Sequence, residues 1–261
     1  MTGGRTDRAL QDDVIRALSD ARYRASPEWR RRALADPDRV ERYARFLARH
    51  FYYERAVHFF KYSRALARVT GRRPEAVLTS PAFDALLPTL VLGSRETAAA
   101  VARIVVAYLG AGPPPPVVPY LPDLLRYEEA MMVVEAGSRV WRDGGNGDEG
   151  RGRGVAPRTV EGTVLLELAY DLPEILPKLL QPWMDVPPAP ERPTKLLVAR
   201  SPHGRVAVAR SDESVAAVIE LADGKRTLQD LATDARLDLP TLEATVKNLV
   251  ELGAVRFPTG S

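Results

Sequence analysis

The sequence Lys195-Leu-Leu-Val-Ala-Arg-Ser-Pro-His-Gly-Arg-Val-Ala-Val-Ala-Arg210 decides the fold of the C-terminal part of the chain. Its first six residues form an apolar run that is typical of a strand, and Arg205 to Arg210 alternates as a returning strand does. The segment from Ser201 to Gly204 lies between them, and its proline and glycine favour a turn. The stretch therefore predicts a β-hairpin.

Three short helices are predicted after this hairpin. Ser211 or Asp212 is a suitable N-cap for the first helix, and Thr227 for the second. Asp238 caps the third, which has apolar residues at helical spacing and ends at Gly253. A hairpin or small antiparallel sheet followed by three helices indicates a winged-helix-like α+β domain.

A winged helix can act in two ways. Its third helix can enter the major groove of DNA, or its hairpin edge can accept a peptide as an added strand. The segment 211–252 contains four lysines and arginines against nine aspartates and glutamates. This acidic balance disfavours a phosphate-binding surface. Peptide binding is therefore the main hypothesis, and a DNA-binding transcriptional regulator is the alternative.

The predicted peptide site combines the hairpin edge with the exposed face of the third helix. Main-chain hydrogen bonds at the edge give affinity, and neighbouring side chains give selectivity. Its basic residues are available to an acidic peptide. The predicted peptide-binding residues are Arg205, Val206, Val208, Arg210, Thr241, Thr245, Lys247, Asn248 and Leu252.

The segment Ser214-Val-Ala-Ala-Val-Ile-Glu-Leu-Ala-Asp-Gly-Lys-Arg-Thr-Leu-Gln-Asp-Leu-Ala232 resembles a known signature. The helix–Asp-Gly–x-x-Thr–helix pattern is similar to that of the PqqD-like recognition element of ribosomally synthesised and post-translationally modified peptides (RiPPs). The preceding hairpin and the ending from Leu249 to Val255 also fit this family. The resemblance implies a domain that binds the leader peptides of RiPP precursors.

The N-terminal part, residues 1–142, predicts a helical domain. The stretch from Arg42 to Arg64 concentrates aromatic residues and two of the three histidines. Tyr43 and Phe46 are expected in the core. The spacing of His50, Glu54 and His58 is compatible with a metal site, but a core with a partner-facing surface is the preferred interpretation, so no metal ligand is assigned. The residues predicted to dock a partner protein are Tyr53, His58, Lys61, Tyr120 and Arg126.

A glycine-rich segment marks the predicted domain boundary. The run from Asp143 to Gly154 has the composition of a flexible linker. We therefore predict a helical domain at 1–142, a linker at 143–157 and a winged-helix-like domain at 158–261 with its core at 194–257. The segment from Val160 to Tyr170 alternates like a strand and is a candidate first strand of the C-terminal sheet.

The run Tyr120-Leu-Pro-Asp-Leu-Leu-Arg-Tyr-Glu128 carries a second resemblance. With the helical half, it is similar to the partner proteins of multinuclear non-haem iron-dependent oxidases of the methanobactin type. The resemblance implies a heterodimer with such an oxidase, to which the partner presents a substrate peptide. The metal ligands in those systems belong to the oxidase, so no cofactor is expected here.

Composition narrows the classes of protein to which the chain can belong. The chain has 261 residues, a net charge of +3 and no cysteine, which excludes disulfides and a cysteine nucleophile. There is no apolar run long enough for a membrane span and no signal-peptide core at the N-terminus, so a cytoplasmic protein is expected. No combination of nucleophile, base and cofactor loop is recognisable, so an enzyme is not expected.

Overall fold

A computed structural model of the protein describes residues 3–32, 34, 36–136, 156–181 and 185–257, and the side chains from residue 8 onward. The described residues are mainly helical, with small antiparallel sheets. The chain divides into two compact units, Met1–Pro115 and Pro116–Ser261. The predicted linker 143–157 lies largely outside the described residues. None of the helices in the described ranges combines the length and apolar character needed to cross a bilayer.

Unit 1 consists of helices joined by short turns. Two 3-10 turns, Pro74–Thr79 and Leu87–Thr89, precede its last helix. The α-helices are α1 Gly3–Ser19, α2 Ala21–Arg24, α3 Pro27–Arg30, α4 Pro37–Phe59, α5 Lys61–Ala65, α6 Ala67–Thr70, α7 Pro81–Asp84 and α8 Arg95–Leu109.

Side-chain caps fix where several of these helices begin. Ser26 accepts a hydrogen bond from the Trp29 amide at 3.2 Å, and Ser94 accepts one from the Thr97 amide at 3.2 Å. The predicted helix starts at these two serines are confirmed. The spacing of apolar residues from Val40 to Val69 predicts a single helix. Helix α4 instead ends at Phe59, because the backbone leaves the helical region at the next residue.

The buried face of α4 is largely built from small residues. Ala44, Ala48 and Ala56 are buried at four-residue multiples, together with Tyr52 and Phe59. The Tyr52 ring meets the Phe83 ring edge-on, with centroids 6.3 Å apart. Burial raises the pKa of Tyr52 to about 12, because the charged phenolate is disfavoured away from water.

Unit 2 combines helices with two small sheets. Strands β2, β3 and β4 form an antiparallel sheet in that order, and β1 pairs with β5. The elements are α9 Leu121–Glu135, β1 Arg158–Thr159, β2 Val164–Tyr170, α10 Leu172–Leu179, β3 Glu191–Arg200, β4 Val206–Ser211, α11 Glu213–Leu221, α12 Leu228–Asp234, α13 Leu239–Leu252 and β5 Val255–Arg256.

The predicted hairpin is present as β3 and β4. Val198 lies opposite Val208, and the turn is closed by a hydrogen bond from the Ser201 amide to the Arg205 carbonyl at 2.8 Å. The candidate strand before it is β2, which pairs with β3 through Leu166 and Leu196. β3 begins at Glu191, inside a segment that the proline content had predicted to be irregular.

The helices α11 to α13 follow the hairpin with the predicted caps. The Asp212 side chain accepts from the Val215 amide at 2.8 Å, Thr227 forms a capping box with Asp230, and Asp238 accepts from the Thr241 amide at 2.9 Å. Their apolar faces bury one face of the sheet. The buried core of this side contains Leu197, Ala199, Val218, Leu231, Ala232, Leu242, Val246, Leu249, Ala254 and Val255.

Helix α9 belongs with the sheet. It contacts β2, β3 and β4, so the contacts divide the chain at Pro115 and not at residue 142, where the prediction ended the helical domain. The sheet face that carries Leu166, Leu196 and Val198, opposite α11 to α13, is also buried. A strand such as β3, buried on both faces, reads as a continuous apolar run.

Candidate functional site

The three-stranded sheet has two edges, β2 and β4, and α9 closes the first. The Arg126 Nη1 donates to the Glu167 carbonyl at 2.8 Å. The Ala169 and Tyr170 amides donate to Asp123 Oδ2 at 2.6 and 3.0 Å. Glu167 and Ala169 are two residues apart, so both point to the same edge of β2. Side chains of α9 therefore occupy backbone groups that another strand would use.

The hydrogen bond at the hairpin turn defines the orientation of β4. Since Ser201 and Arg205 are hydrogen-bonded across the turn, the pairs Ala199–Ala207 and Leu197–Ala209 are the ones that exchange backbone bonds. The intervening residues of β4 point their amides and carbonyls away from β3. These outward-facing residues are Val206, Val208 and Arg210.

This outer edge of β4 is the candidate site. In the part of the chain that the structure describes, no further strand pairs with β4. Val208 is 37 % exposed at its centre. An unpaired row of amides and carbonyls is a template for an added strand. The outward groups of this edge are therefore the basis of the function proposed below.

The two faces of β4 differ in the side chains they offer. Val206, Val208 and Arg210 lie on the face of Leu196 and Val198, because Val198 pairs with Val208 and Leu196 with Arg210. The opposite face has only small residues, namely Ala207, Ala209 and Ser211. The helix beside β4 is α11, which follows it after a single residue, Asp212.

Arg210 is anchored on a buried carboxylate. Its Nη2 donates to Asp171 Oδ1 at 2.7 Å, and the Asp171 side chain has no exposed surface. Asp171 precedes α10, but its side chain does not cap that helix. Arg192 lies 3.7 Å from the second Asp171 oxygen and 3.7 Å from Glu174. No sequence pattern predicts this cluster, because its two arginines lie 21 and 39 positions after Asp171.

Lys195 lies opposite the C-terminal residue of β4, Ser211. Its Nζ donates to Glu213 at 2.8 Å and lies 3.3 Å from Glu167. These two carboxylates, Glu213 first, raise the pKa of the lysine. The lysine charge is therefore already paired at this end of the sheet.

The predicted peptide-binding residues of α13 differ from one another in exposure. Lys247 and Asn248 are exposed, whereas the Thr245 hydroxyl donates to the Thr241 carbonyl at 2.9 Å. Leu252 is half-buried and packs against the apolar core of α11 to α13, so it is part of that core rather than an open pocket wall. α13 packs against α11, α12 and β5. Arg205 is exposed at the hairpin turn.

The predicted partner-docking residues separate into two groups. Tyr53, His58 and Lys61 are exposed on unit 1. Tyr120 is fully buried, its hydroxyl donates to the Pro187 carbonyl at 3.3 Å, and burial raises its pKa to about 12. Arg126 is held on β2. Tyr120 is therefore part of the core of unit 2, whereas Arg126 bonds the edge of β2 while its side chain remains 51 % exposed.

An aromatic stripe on α4 is exposed, and of its members only Tyr53 was predicted to face a partner. Tyr43, Phe46 and Tyr53 are 52, 60 and 42 % exposed, and His50 lies between the last two. The rings of Phe46 and His50 are nearly parallel, with centroids 6.3 Å apart. The expectation that Tyr43 and Phe46 lie in the core is wrong, because the alanines of α4 form its buried face. The spacing of three, four and three residues was the available signal, since it is that of a coiled-coil seam.

A groove runs beside this stripe. It has a volume of about 390 Å³ and is lined by Leu47, His50, Phe51, Glu54, Arg55 and Leu92. His50 and Glu54 had been considered as metal ligands. Among the described residues, no group of three histidine, aspartate or glutamate side chains is arranged to hold a metal ion.

Comparisons with known proteins add no relative. No protein-family model matches the chain, and the comparison with curated proteins gives no match. The function proposed below therefore rests on the geometry and charge of the sheet edge, together with the sequence resemblances.

Proposed function

We propose that the protein is a non-catalytic partner protein in the biosynthesis of a ribosomally made peptide natural product. In this proposal β2 to β4 and α11 to α13 act as a winged-helix RiPP recognition element that binds the precursor's leader peptide. Unit 1 docks the modifying enzyme, a multinuclear non-haem iron-dependent oxidase, in a cytoplasmic heterodimer. The protein itself contributes no catalytic group and holds no cofactor.

The observation that carries the proposal is the contrast between the two edges of the sheet. The β2 edge is closed by Asp123 and Arg126, whereas Val206, Val208 and Arg210 present their backbone groups outward. A protein that only needed to avoid aggregation would protect both edges. One protected and one unpaired edge favours strand addition at β4 as the mode of peptide binding.

The DNA-binding alternative is less well supported. The exposed side of α13, which would enter the major groove, carries Glu243 and Glu251 beside its only cation, Lys247. Glutamates repel the phosphates of DNA, and lysine and arginine side chains supply the non-specific affinity for DNA. The charge on α13 therefore favours the peptide hypothesis.

The docking part of the proposal rests on unit 1. Tyr53, His58 and Lys61 are exposed there, and Tyr53 belongs to the aromatic stripe of Tyr43, Phe46, His50 and Tyr53. Exposed aromatic side chains at heptad spacing are suited to packing against a helix of another protein. This surface replaces Tyr120 and Arg126 as the proposed contact with the enzyme.

Strand addition is tested with the substitution Val208→Pro. Proline removes an outward amide and leaves the β3–β4 hydrogen bonds intact, since a proline is tolerated on an edge strand whose amide faces solvent. Binding of fluorescently labelled candidate precursor peptides, taken from short open reading frames near the gene, is measured by anisotropy. We expect micromolar or tighter binding by the wild type, about −8 kcal/mol, and a loss of about tenfold or more for Val208→Pro.

Val208→Ala is the matched control. It shortens the side chain but keeps the amide, so it should bind more tightly than Val208→Pro if the backbone carries the interaction. Circular dichroism establishes that both variants are folded. Wild-type affinity in folded Val208→Pro would rule out strand addition at this edge.

A further inference from the structure

Asp171 is a fully buried carboxylate that does not cap the helix it precedes. It stands directly before α10, where an aspartate ordinarily accepts a hydrogen bond from the helix. Its side chain makes no such bond and has no exposed surface. Its Oδ1 instead accepts the bond from Arg210 at 2.7 Å. Removing Arg210 alone would leave a buried charge without its hydrogen-bond donor, so the two residues act as a unit.

Arg210 is the other half of this pair, and it lies on the open edge. Its side chain is 51 % exposed, and its backbone groups point away from β3. A guanidinium has five N–H donors in a fixed fork, so the bond to Asp171 leaves donors for a second carboxylate. The anchor also fixes the side chain before any ligand arrives, which reduces the entropy lost on binding.

The charges of the cluster balance, with two arginines against Asp171 and Glu174, so a further anion meets no net negative charge. Asp171 lies between Arg210 and Arg192, so one buried carboxylate faces two arginines. Glu174, which is half-exposed, is 3.7 Å from Arg192. A partly exposed pair at this distance is weak. The exposed half of Arg210 therefore remains a site for a further carboxylate.

We propose that Arg210, positioned by Asp171, is a specificity-determining residue that selects peptides with an aspartate or glutamate at one fixed position. A residue directly opposite Arg210 on an added strand has its Cβ about 4.5–5.5 Å away, within reach of a charge-assisted bond. Val208 and Val206 lie on the same face, two and four residues earlier, and favour apolar partners. This inference rests on the proposed strand addition at β4.

The preferred sequence follows from this alternation. A strand added antiparallel to β4 has the order acid–x–apolar–x–apolar, and a strand added parallel has the reverse order. The neighbouring face of β4 offers only Ala207, Ala209 and Ser211. The intervening positions of the peptide are therefore under weaker selection for charge.

The test uses a random peptide library displayed on phage and selected on the immobilised full chain. The comparison variant is the double substitution Asp171→Asn with Arg210→Gln, which removes both charges together and so leaves no unpaired buried ion. Selection on the Val208→Pro variant measures the enrichment that occurs without strand addition. We expect peptides enriched on the wild type to share one acidic position with apolar residues two and four positions away.

A labelled peptide from the selection then gives the magnitude. Changing its acid to the amide should weaken binding to the wild type by about tenfold or more, and to the double variant by less than about twofold. Enriched peptides without an acidic position would overturn the selectivity of Arg210 and leave strand addition standing. No enrichment above the Val208→Pro background would overturn both.

Discussion

Gly253, which follows α13, lies so close to the end of β3 that a side chain at this position would clash. Gly253 follows α13 with φ 84°, in the left-handed region. A Cβ placed on it would lie 2.2 Å from the Arg200 carbonyl oxygen and 2.9 Å from the Ser201 Cα. Both atoms belong to the backbone just before the hairpin turn. Relief of this clash would therefore displace the strand pair that presents the β4 edge.

Gly204 provides a matched control. Its φ of 80° is nearly the same, but a Cβ there would meet no atom within 4 Å. Left-handed backbone costs a non-glycine residue about 1–2 kcal/mol, which both alanine variants share. Overpacking adds about 1–3 kcal/mol, here at its upper end because the clash involves backbone. We expect Gly204→Ala to lower the free energy of unfolding by about 1–2 kcal/mol and Gly253→Ala by about 3–5 kcal/mol.

Urea denaturation followed by circular dichroism measures this difference. The comparison between two variants of the full chain cancels any contribution from unit 1. A Gly253→Ala protein within about 1 kcal/mol of Gly204→Ala would refute the packing of α13 on the hairpin. Precursor binding should fall with Gly253→Ala in the fraction that remains folded, because the β4 edge is displaced.

Two further substitutions test the edge closure and the aromatic stripe. Asp123→Ala should lower the free energy of unfolding by about 2–4 kcal/mol in urea denaturation, since two backbone amides lose their acceptor. Asp123→Asn keeps an oxygen and should lower it by less. Equal losses for the two variants would contradict the proposed role of the carboxylate. Phe46→Ser should change the free energy of unfolding by at most about 0.5 kcal/mol and abolish co-purification with the modifying enzyme. The core substitution Tyr52→Ala should lower the free energy of unfolding by about 3–5 kcal/mol. Unchanged co-purification of Phe46→Ser would place the docking surface elsewhere.

Much of unit 2 could be predicted because its signals are local. Caps at Asp212, Thr227 and Asp238 each depend on a side chain and an amide three residues away. The hairpin was readable because Pro202 and Gly204 interrupt two apolar runs. Alternation was enough to find β2, because Val164, Leu166 and Leu168 share one face. Leu165 lies on the other face and packs against the core of α11 to α13.

The domain boundary and the anchored arginine could not be predicted in the same way. Helix α9 has apolar residues suited to either neighbour, and only contacts distant in sequence show that it lies on the sheet. The pairing of Asp171 with Arg210 joins a loop to a strand 39 positions later. The exposure of Phe46 depended on which α4 face the rest of unit 1 covers. The alanine face of α4 allows closer packing than the aromatic face, and tertiary packing determines which of the two faces is buried.

The Tyr120 to Glu128 run has a structural role within unit 2. Its Asp123 and Arg126 close the β2 edge, and its Tyr120 is buried, so these residues are already used within unit 2. Closing β2 is what makes β4 the only edge of this sheet that remains unpaired among the described residues. A peptide that adds to the sheet therefore meets Val206, Val208 and Arg210 in a fixed register. In the proposed function, the α9 run acts on peptide selection indirectly, by determining which edge is available, and the proposed contact with the partner enzyme is the exposed surface on α4.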